Sequence, residues 1–222
     1  MLLAVDTSTR SIGLALYDGS AVVSESLWQS QQHHTVELAP AVQSLLARAG
    51  LAPGRLGALA VALGPGSFTS LRIGLSLVKG MALALRLPLV GIPTLDVLAA
   101  SQPPHDAPLA AVLQAGRGRL AVGWYAWRDG RWQANGSAAV TTAEALQAQI
   151  TKPTLIVGEL GAVERQLLHR KWRNALVVSP AGCTRRPGML AELAWARWQA
   201  GDTDDPVTLS PLYLHTAEAI PD

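Results

Sequence analysis

The sequence is poor in cysteine and in charge. Cys183 is the only cysteine among 222 residues, so the chain has no disulfide framework. Charged residues make up 15% of the chain, whereas a typical domain has roughly 25%. Because 49% of the residues are hydrophobic, this balance predicts a large core and some apolar surface that is kept for a partner.

Metal-dependent and thiol chemistry have little support in the sequence. No two of the five histidines are spaced as His-x-x-x-His, and the motif His-Glu-x-x-His is absent. The adjacent pair His33 and His34 is interpreted as a solvated helix entrance rather than as metal ligands. Cys183 has no histidine near it in sequence and is expected to be inert. We therefore expect no metal site.

Neither a membrane span nor a secretion signal is expected. The best candidate for a span is interrupted by Arg72 and Lys79, so no apolar run reaches membrane-spanning length. The apolar residues 2–5 meet Asp6 too early to form a signal peptide. We expect a soluble protein of the cytoplasm that does not contact a membrane.

The chain is organised around the stretch from Leu59 to Leu87. Residues 59–63 form an apolar run of strand length, which ends at Gly64-Pro65-Gly66, and Ser67 or Thr69 can cap the helix that follows. Free N–H groups at that helix start would suit an anion. A tight turn that requires glycine explains the motif equally well. The motif is not a P-loop, since no Gly-Lys-Ser/Thr follows the glycines.

The predicted elements occur twice in the same order. Each half reads as three antiparallel strands followed by helix, strand, helix, strand and helix, and each contains an Asp-Gly hairpin turn. The proline-rich segment 102–108 separates the halves. The predicted lobes are residues 1–102 and 103–222, with docking of the last residues back on the first lobe as an open alternative. Two such lobes form an α/β fold of duplicated ribonuclease-H-like lobes, as in the actin, sugar-kinase and heat-shock ATPase architecture.

In that architecture the first turn of each lobe holds a phosphate tail. The first turn here is Asp6-Thr7-Ser8-Thr9, which with Gly64 and Gly66 would form a vestigial nucleotide cleft. Alternatively, the carboxylate and hydroxyls simply satisfy the hairpin turn. The second turn, residues 114–118, has no acid, although an active phosphotransferase or ATPase needs one there. We therefore expect no required cofactor, with weak nucleotide binding as the open alternative.

Two motifs make the chain resemble the TsaB family, bacterial tRNA threonylcarbamoyladenosine biosynthesis proteins that are also filed as glycoprotease (peptidase M22) homologues. They are the turn at residues 6–9 and the run GPGSFTSLRIG at residues 64–74. The matches are dense in residues 1–100 and sparse beyond. The second turn departs from the family pattern at Gln114, Gly116, Arg119 and Ala121, which leaves the role of that segment open.

The resemblance implies a role without chemistry of its own. TsaB-like proteins are non-catalytic partners of a catalytic paralogue, TsaD, which transfers a threonylcarbamoyl group to N6 of adenosine 37 in tRNAs reading ANN codons. An ATPase, TsaE, completes the assembly. The alternatives are an ATP-using kinase or hydrolase of the same fold and an M22-type metallopeptidase.

The resemblance also implies pairing, with TsaD or with a second copy, through two helices of the first lobe. In this sequence these are residues 35–49 and 70–85, the second of which is apolar on more than one face. The predicted interface residues are Leu38, Val42, Leu45, Leu71, Arg72, Gly74, Leu75 and Val78.

Basic residues are unevenly distributed, and residues 165–186 contain no acid. A tRNA-handling complex could use such a surface to contact phosphates, and the predicted contacts are Arg165, Arg170, Lys171 and Arg173. A solvated face is the alternative, because the net charge is only +2.

Overall fold

The computed structural model describes residues 1–31, 33–171 and 173–214. The chain divides into two compact units: unit 1 contains Met1–Val97 and Arg185–Leu212, and unit 2 is built on Leu98–Thr184. The predicted boundary after residue 102 lies close to the first junction. Of the predicted second lobe of 103–222, residues 185–212 pack in unit 1, so the segment that returns to the first lobe is longer than the last few residues for which docking was considered.

Unit 1 is a five-stranded sheet with helices on both faces. Its elements are β1 (Leu2–Asp6), β2 (Ser11–Tyr17), β3 (Val22–Gln29), α1 (His34–Arg48), β4 (Ala58–Ala62), α2 (Phe68–Leu85), β5 (Leu89–Ile92) and, late in the chain, α6 (Pro187–Gln199); α3 (Thr94–Ala100) carries the chain into unit 2. The strand order is β3-β2-β1-β4-β5, with β1, β4 and β5 parallel and β1, β2 and β3 antiparallel.

The central strands β1 and β4 are buried at every position, because each face of the sheet is covered. Helices α1 and α2 cover the face that carries Leu3, Val5 and Val61. Helix α6 covers the other face, where alanines such as Ala4 and Ala60 allow close packing. A helix from the end of the chain thus completes the core of the first unit.

Helix α2 begins where the sequence predicts a cap. The Ser67 hydroxyl accepts a hydrogen bond from the Ser70 N–H, so Ser67 rather than Thr69 is the N-cap. The expectation that no segment is long enough to span a membrane is wrong for α2, whose 18 residues are long and apolar enough by length and composition. The two charged residues of α2 do not offset the hydropathy that its leucines contribute. One side of α2 instead packs in the core of unit 1.

Unit 2 repeats the topology. Its elements are β6 (Leu109–Gln114), β7 (Arg119–Arg128), β8 (Arg131–Ala134), β9 (Ala139–Thr142), α4 (Ala143–Gln149), β10 (Thr154–Gly158), α5 (Ala162–His169) and β11 (Ala175–Val177). Read from the other edge, the order in unit 1 is β5-β4-β1-β2-β3, and the order β11-β10-β6-β7-β8 in unit 2 matches it strand for strand. Strand β9 is an additional partner of β7. The fold is therefore a duplicated ribonuclease-H-like α/β fold, as the sequence predicts.

Both Asp-Gly pairs make the predicted hairpin turns. Gly19 and Gly130 have φ of +100° and +74°, the left-handed region that these tight turns require. The Asp18 carboxylate accepts hydrogen bonds from the backbone N–H groups of Ser20 and Ala21 and from the Ser20 hydroxyl. These bonds lower the pKa of Asp18.

Candidate functional site: the Asp6 turn and the outer face of α1 and α2

The Asp6 turn, residues 6–9, follows β1 at the carboxyl end of the parallel strands. All four residues are buried, with exposed fractions of 3%, 0%, 0% and 9% along the turn. Polar side chains at such depth require partners inside the protein. The partners come from four other parts of unit 1.

The Asp6 carboxylate has both oxygens engaged. Its Oδ1 accepts hydrogen bonds from the Ser8 backbone N–H at 2.8 Å and from the Ser8 hydroxyl at 2.6 Å. Its Oδ2 accepts from Nε of Arg185 at 3.0 Å, and both side chains of this ion pair are only 4% exposed. A second guanidinium nitrogen of Arg185 donates to the Thr9 hydroxyl at 2.8 Å. Arg185 therefore binds the turn at two points.

A chain of hydroxyls joins the turn to the start of α3. The Ser8 and Thr94 hydroxyl oxygens lie 2.8 Å apart, and the Gly64 N–H donates to the Thr94 hydroxyl at 2.9 Å. Since the Ser8 hydroxyl donates its one proton to Asp6, the Thr94 hydroxyl must be the donor in the bond to Ser8. The network leaves each of these groups satisfied.

The glycines of the GPG motif and of α2 serve close packing against the Asp6 turn. A Cβ added to Gly66 would lie 2.1 Å from the Ser8 carbonyl oxygen, and one added to Gly74 would lie 2.2 Å from Oγ1 of Thr7. The Thr7 hydroxyl donates to the Ser70 carbonyl at 2.7 Å. This geometry favours the tight-turn interpretation of the motif over an anion site. Gly74, which the sequence assigns to the partner interface, packs against Thr7 instead.

The predicted cleft residues come together, yet their polar groups face one another. The structure adds His34, Ser70, Thr94 and Arg185 to this cluster. His34 is 4% exposed and its Nε2 lies 2.9 Å from the Thr9 carbonyl oxygen, so the prediction of a solvated helix entrance is wrong for His34. No local signal in the sequence could have revealed Arg185, which lies 179 positions from Asp6.

A metal site in a protein needs several ligands from His, Cys, Asp or Glu side chains close together. Within residues 1–31, 33–171 and 173–214, no three His, Cys, Asp or Glu side chains are grouped suitably. Cys183 is buried, and its sulfur lies 3.5 Å from both the Val178 carbonyl oxygen and a guanidinium nitrogen of Arg165.

Most of the predicted partner interface faces the core of unit 1, and only Leu38, Val42 and Arg72 also line depressions on the outer side of α1 and α2. Seven of the eight residues are buried in unit 1, and only Arg72 is exposed. The buried seven are Leu38, Val42, Leu45, Leu71, Gly74, Leu75 and Val78. Because α2 is apolar nearly all round, its sequence does not distinguish the core face from an outer face. We therefore assign the candidate interface to the opposite side of α1 and α2.

That opposite side forms an apolar groove, which we call the outer groove. It has a volume of about 480 Å³, and its lining residues Ala39 and Leu77 also line a second depression of about 280 Å³. Phe68 at its rim is 54% exposed, and the Arg72 guanidinium carbon lies 3.5 Å from the Phe68 ring centroid. The groove is lined by Thr35, Leu38, Ala39, Phe68, Thr69, Arg72, Ile73, Ser76 and Leu77.

Two of the four predicted tRNA contacts are engaged inside unit 2. The Arg165 guanidinium donates to the carbonyls of Leu160 and Val178, and the Lys171 ammonium donates to the carbonyl of Gln147 at 2.8 Å. Arg165 and Lys171 are half-buried and bind these carbonyls, so their contact with tRNA phosphates stays a prediction. Arg170 and Arg173 are exposed.

Comparisons with known proteins place the sequence in a well-defined group. A family model described as TsaD, tRNA N6-adenosine threonylcarbamoyltransferase, matches residues 25–174. The tRNA threonylcarbamoyladenosine biosynthesis protein TsaB of Bacillus subtilis (strain 168) is 32% identical over 222 residues, which cover 98% of this chain and 95% of that protein.

Solved structures agree with the sequence comparison. YeaZ from Pseudomonas aeruginosa superimposes with a TM-score of 0.80 at 26% identity, covering 96% of this chain and 99% of that one. The ethanolamine utilization protein EutJ from Carboxydothermus hydrogenoformans has a TM-score of 0.51 at 16% identity, with 86% and 88% of the two chains covered. The second likeness concerns the fold alone.

Proposed function

Because the chain belongs to the TsaB family of tRNA threonylcarbamoyladenosine biosynthesis proteins, we propose that it supports a TsaD-like catalytic paralogue as a non-catalytic partner. The reaction is the transfer of a threonylcarbamoyl group to N6 of adenosine 37 in tRNAs that read ANN codons. In this proposal the paralogue supplies the chemistry, and this chain supplies a surface on which the paralogue is held.

The outer groove is the observation that carries the proposal. Exposed apolar patches of this kind commonly mark protein–protein contact sites. Here the exposed Phe68 and the half-buried Ile73 and Leu77 line one continuous surface, which contains the cation Arg72 and no carboxylate. We propose that two helices of the paralogue pack against α1 and α2 there. Each large apolar side chain that becomes fully covered would contribute roughly 1.5–3 kcal/mol.

The absence of catalysis is supported by the Asp6 turn. In an active member of the fold this carboxylate would face substrate, whereas here both oxygens bind groups of the same chain. We propose that the same groove also permits a homodimer, so that self-association and binding of the paralogue compete. A TsaE-like ATPase, and tRNA contacts through the exposed Arg170 and Arg173, belong to the same proposed cytoplasmic assembly.

Omitting this chain from a reconstituted reaction tests the proposal directly. TsaD, TsaE and the adenylate-forming enzyme of the same organism would be incubated with tRNA, with and without the protein. We expect N6-threonylcarbamoyladenosine, read by nucleoside chromatography, only when the protein is present. Equal yields in both reactions would rule out the supporting role. Modification by this chain without TsaD would show instead that it is the catalyst.

Charging the outer groove is expected to weaken binding of the paralogue without unfolding the chain. In Leu77→Glu a carboxylate would have to be desolvated on docking, so we expect at least a tenfold loss of affinity for TsaD in a pull-down titration. Leu83→Glu is the matched control, because Leu83 is 62% exposed on the same helix and lies outside the groove. Equal affinities of the two variants would place the interface elsewhere.

A further inference from the structure

Arg185 is a fully buried cation that the proposed function does not use. It enters the Asp6 turn from the segment preceding α6, where it forms a hydrogen-bonded ion pair with Asp6 and donates a hydrogen bond to the Thr9 hydroxyl. We propose that the Arg185 guanidinium acts as an internal ligand of the Asp6 turn. It occupies the position at which a complex of a metal cation with a nucleotide would have to bind. This inference rests on the proposed non-catalytic role and gives it a structural cause.

The carboxylate cannot serve a divalent cation while Arg185 is in place. A cation such as Mg²⁺ needs near-octahedral oxygen ligands and would have to take Asp6 as one of them. Oδ2 of Asp6 already faces the guanidinium, and Oδ1 accepts two hydrogen bonds. A divalent cation bound to Asp6 would lie next to the Arg185 guanidinium. The two positive charges would repel each other strongly, because little water reaches this buried site to screen them.

Three backbone N–H groups next to the Asp6 turn, which could otherwise bind a phosphate, are also engaged. The Ser8 N–H bonds to Asp6, the Ser67 N–H donates to the Ser8 carbonyl at 2.7 Å, and the Gly64 N–H bonds to Thr94. A phosphate could enter only after these bonds were broken, and each buried group released would lose its partner. The residues present therefore do not fit a phosphate tail or the metal that accompanies it.

The same geometry explains why the site tolerates a buried charge. The positive charge of Arg185 compensates Asp6, while the Thr9 hydroxyl accepts from a second nitrogen of the guanidinium. Removing one member of a buried pair leaves the other charge uncompensated, whereas removing both charges does not. If Arg185 acts as an internal ligand, a small cation with the shape of its guanidinium should be able to replace its side chain in a variant that lacks it.

Chemical rescue of Arg185→Ala tests this on the isolated full-length chain. We expect its thermal midpoint to fall by at least about 6 °C. Guanidinium chloride at about 20 mM, compared with an equal concentration of sodium chloride, should raise that midpoint by about 2 °C or more. The wild type and Arg186→Ala, whose side chain is 61% exposed, should not respond. Asp6→Asn/Arg185→Ala should not respond either.

The outcomes separate this inference from the proposed function. A folded Arg185→Ala that responds to guanidinium no more than Asp6→Asn/Arg185→Ala would overturn it. A wild-type midpoint raised by Mg·ATP, with the rise lost in Asp6→Asn, would also overturn it, whatever the reconstitution showed. If Arg185→Ala does not fold, the comparison is between Arg185→Met and Asp6→Asn/Arg185→Met. Recovery of folding in the double variant supports the inference, and its failure to fold rejects it.

Discussion

Glutamate in place of Leu75 is expected to unfold unit 1. Leu75 is 6% exposed and packs with Leu3, Val61 and Val78 between α2 and the sheet. A carboxylate there has no cation to pair with among those neighbours, and the leucine packing is lost as well. We expect a destabilisation of about 4 kcal/mol or more, a large part of the stability of an ordinary domain.

Urea unfolding followed by far-ultraviolet circular dichroism measures this effect. Ser76→Glu is the matched control, since it introduces the same charge one residue further along α2 at an exposed position. It should shift the unfolding free energy by no more than about 0.5 kcal/mol. Ser76 lines the outer groove, so the control should keep the fold and lose affinity for the paralogue. A folded Leu75→Glu that loses its partner would restore the interface predicted from sequence.

Alanine in place of Gly66 is expected to be the most damaging single-methyl change near the Asp6 turn. The new Cβ would lie 2.1 Å from the Ser8 carbonyl oxygen, and backbone cannot move aside as a side chain can. The GPG turn and the Asp6 turn would have to separate, which would weaken the hydrogen bond between the Ser67 N–H and that carbonyl. We expect a loss of about 3 kcal/mol, at the upper end of overpacking costs.

The same substitution at Gly80 should have the opposite sign. Gly80 lies inside α2, is exposed, and has no atom within 4 Å of an added Cβ. Alanine there should stabilise the helix by about 0.5–1 kcal/mol, because glycine loses more backbone entropy on folding. Urea midpoints of the two variants, with the denaturant slope unchanged, provide the measurement. Equal effects at both positions would contradict the close approach of the two turns.

The predictions at Leu75 and Leu77 bear on the same property of α2, which has more than one apolar face. From sequence, Leu75 and Leu77 are both leucines on an apolar helix, and a partner interface could be assigned to either. The structure separates them, because Leu75 is buried in the core, whereas Leu77 is half-buried: it packs against the edge of that core and also lines the outer groove. The choice depends on which face the sheet covers, and the sheet is built from strands distant in sequence.

Local chemistry determined the order of elements, the two Asp-Gly turns and the cap of α2, because periodicity, turn residues and capping side chains act over a few positions. The motifs at residues 6–9 and 64–74 were likewise sufficient to identify the TsaB family. The tertiary structure alone decided that α6 completes the core of unit 1 and that Arg185 pairs with Asp6. Those contacts join residues about 180 positions apart; sequence spacing carries no information about such pairs, since only the folded sheet brings them together.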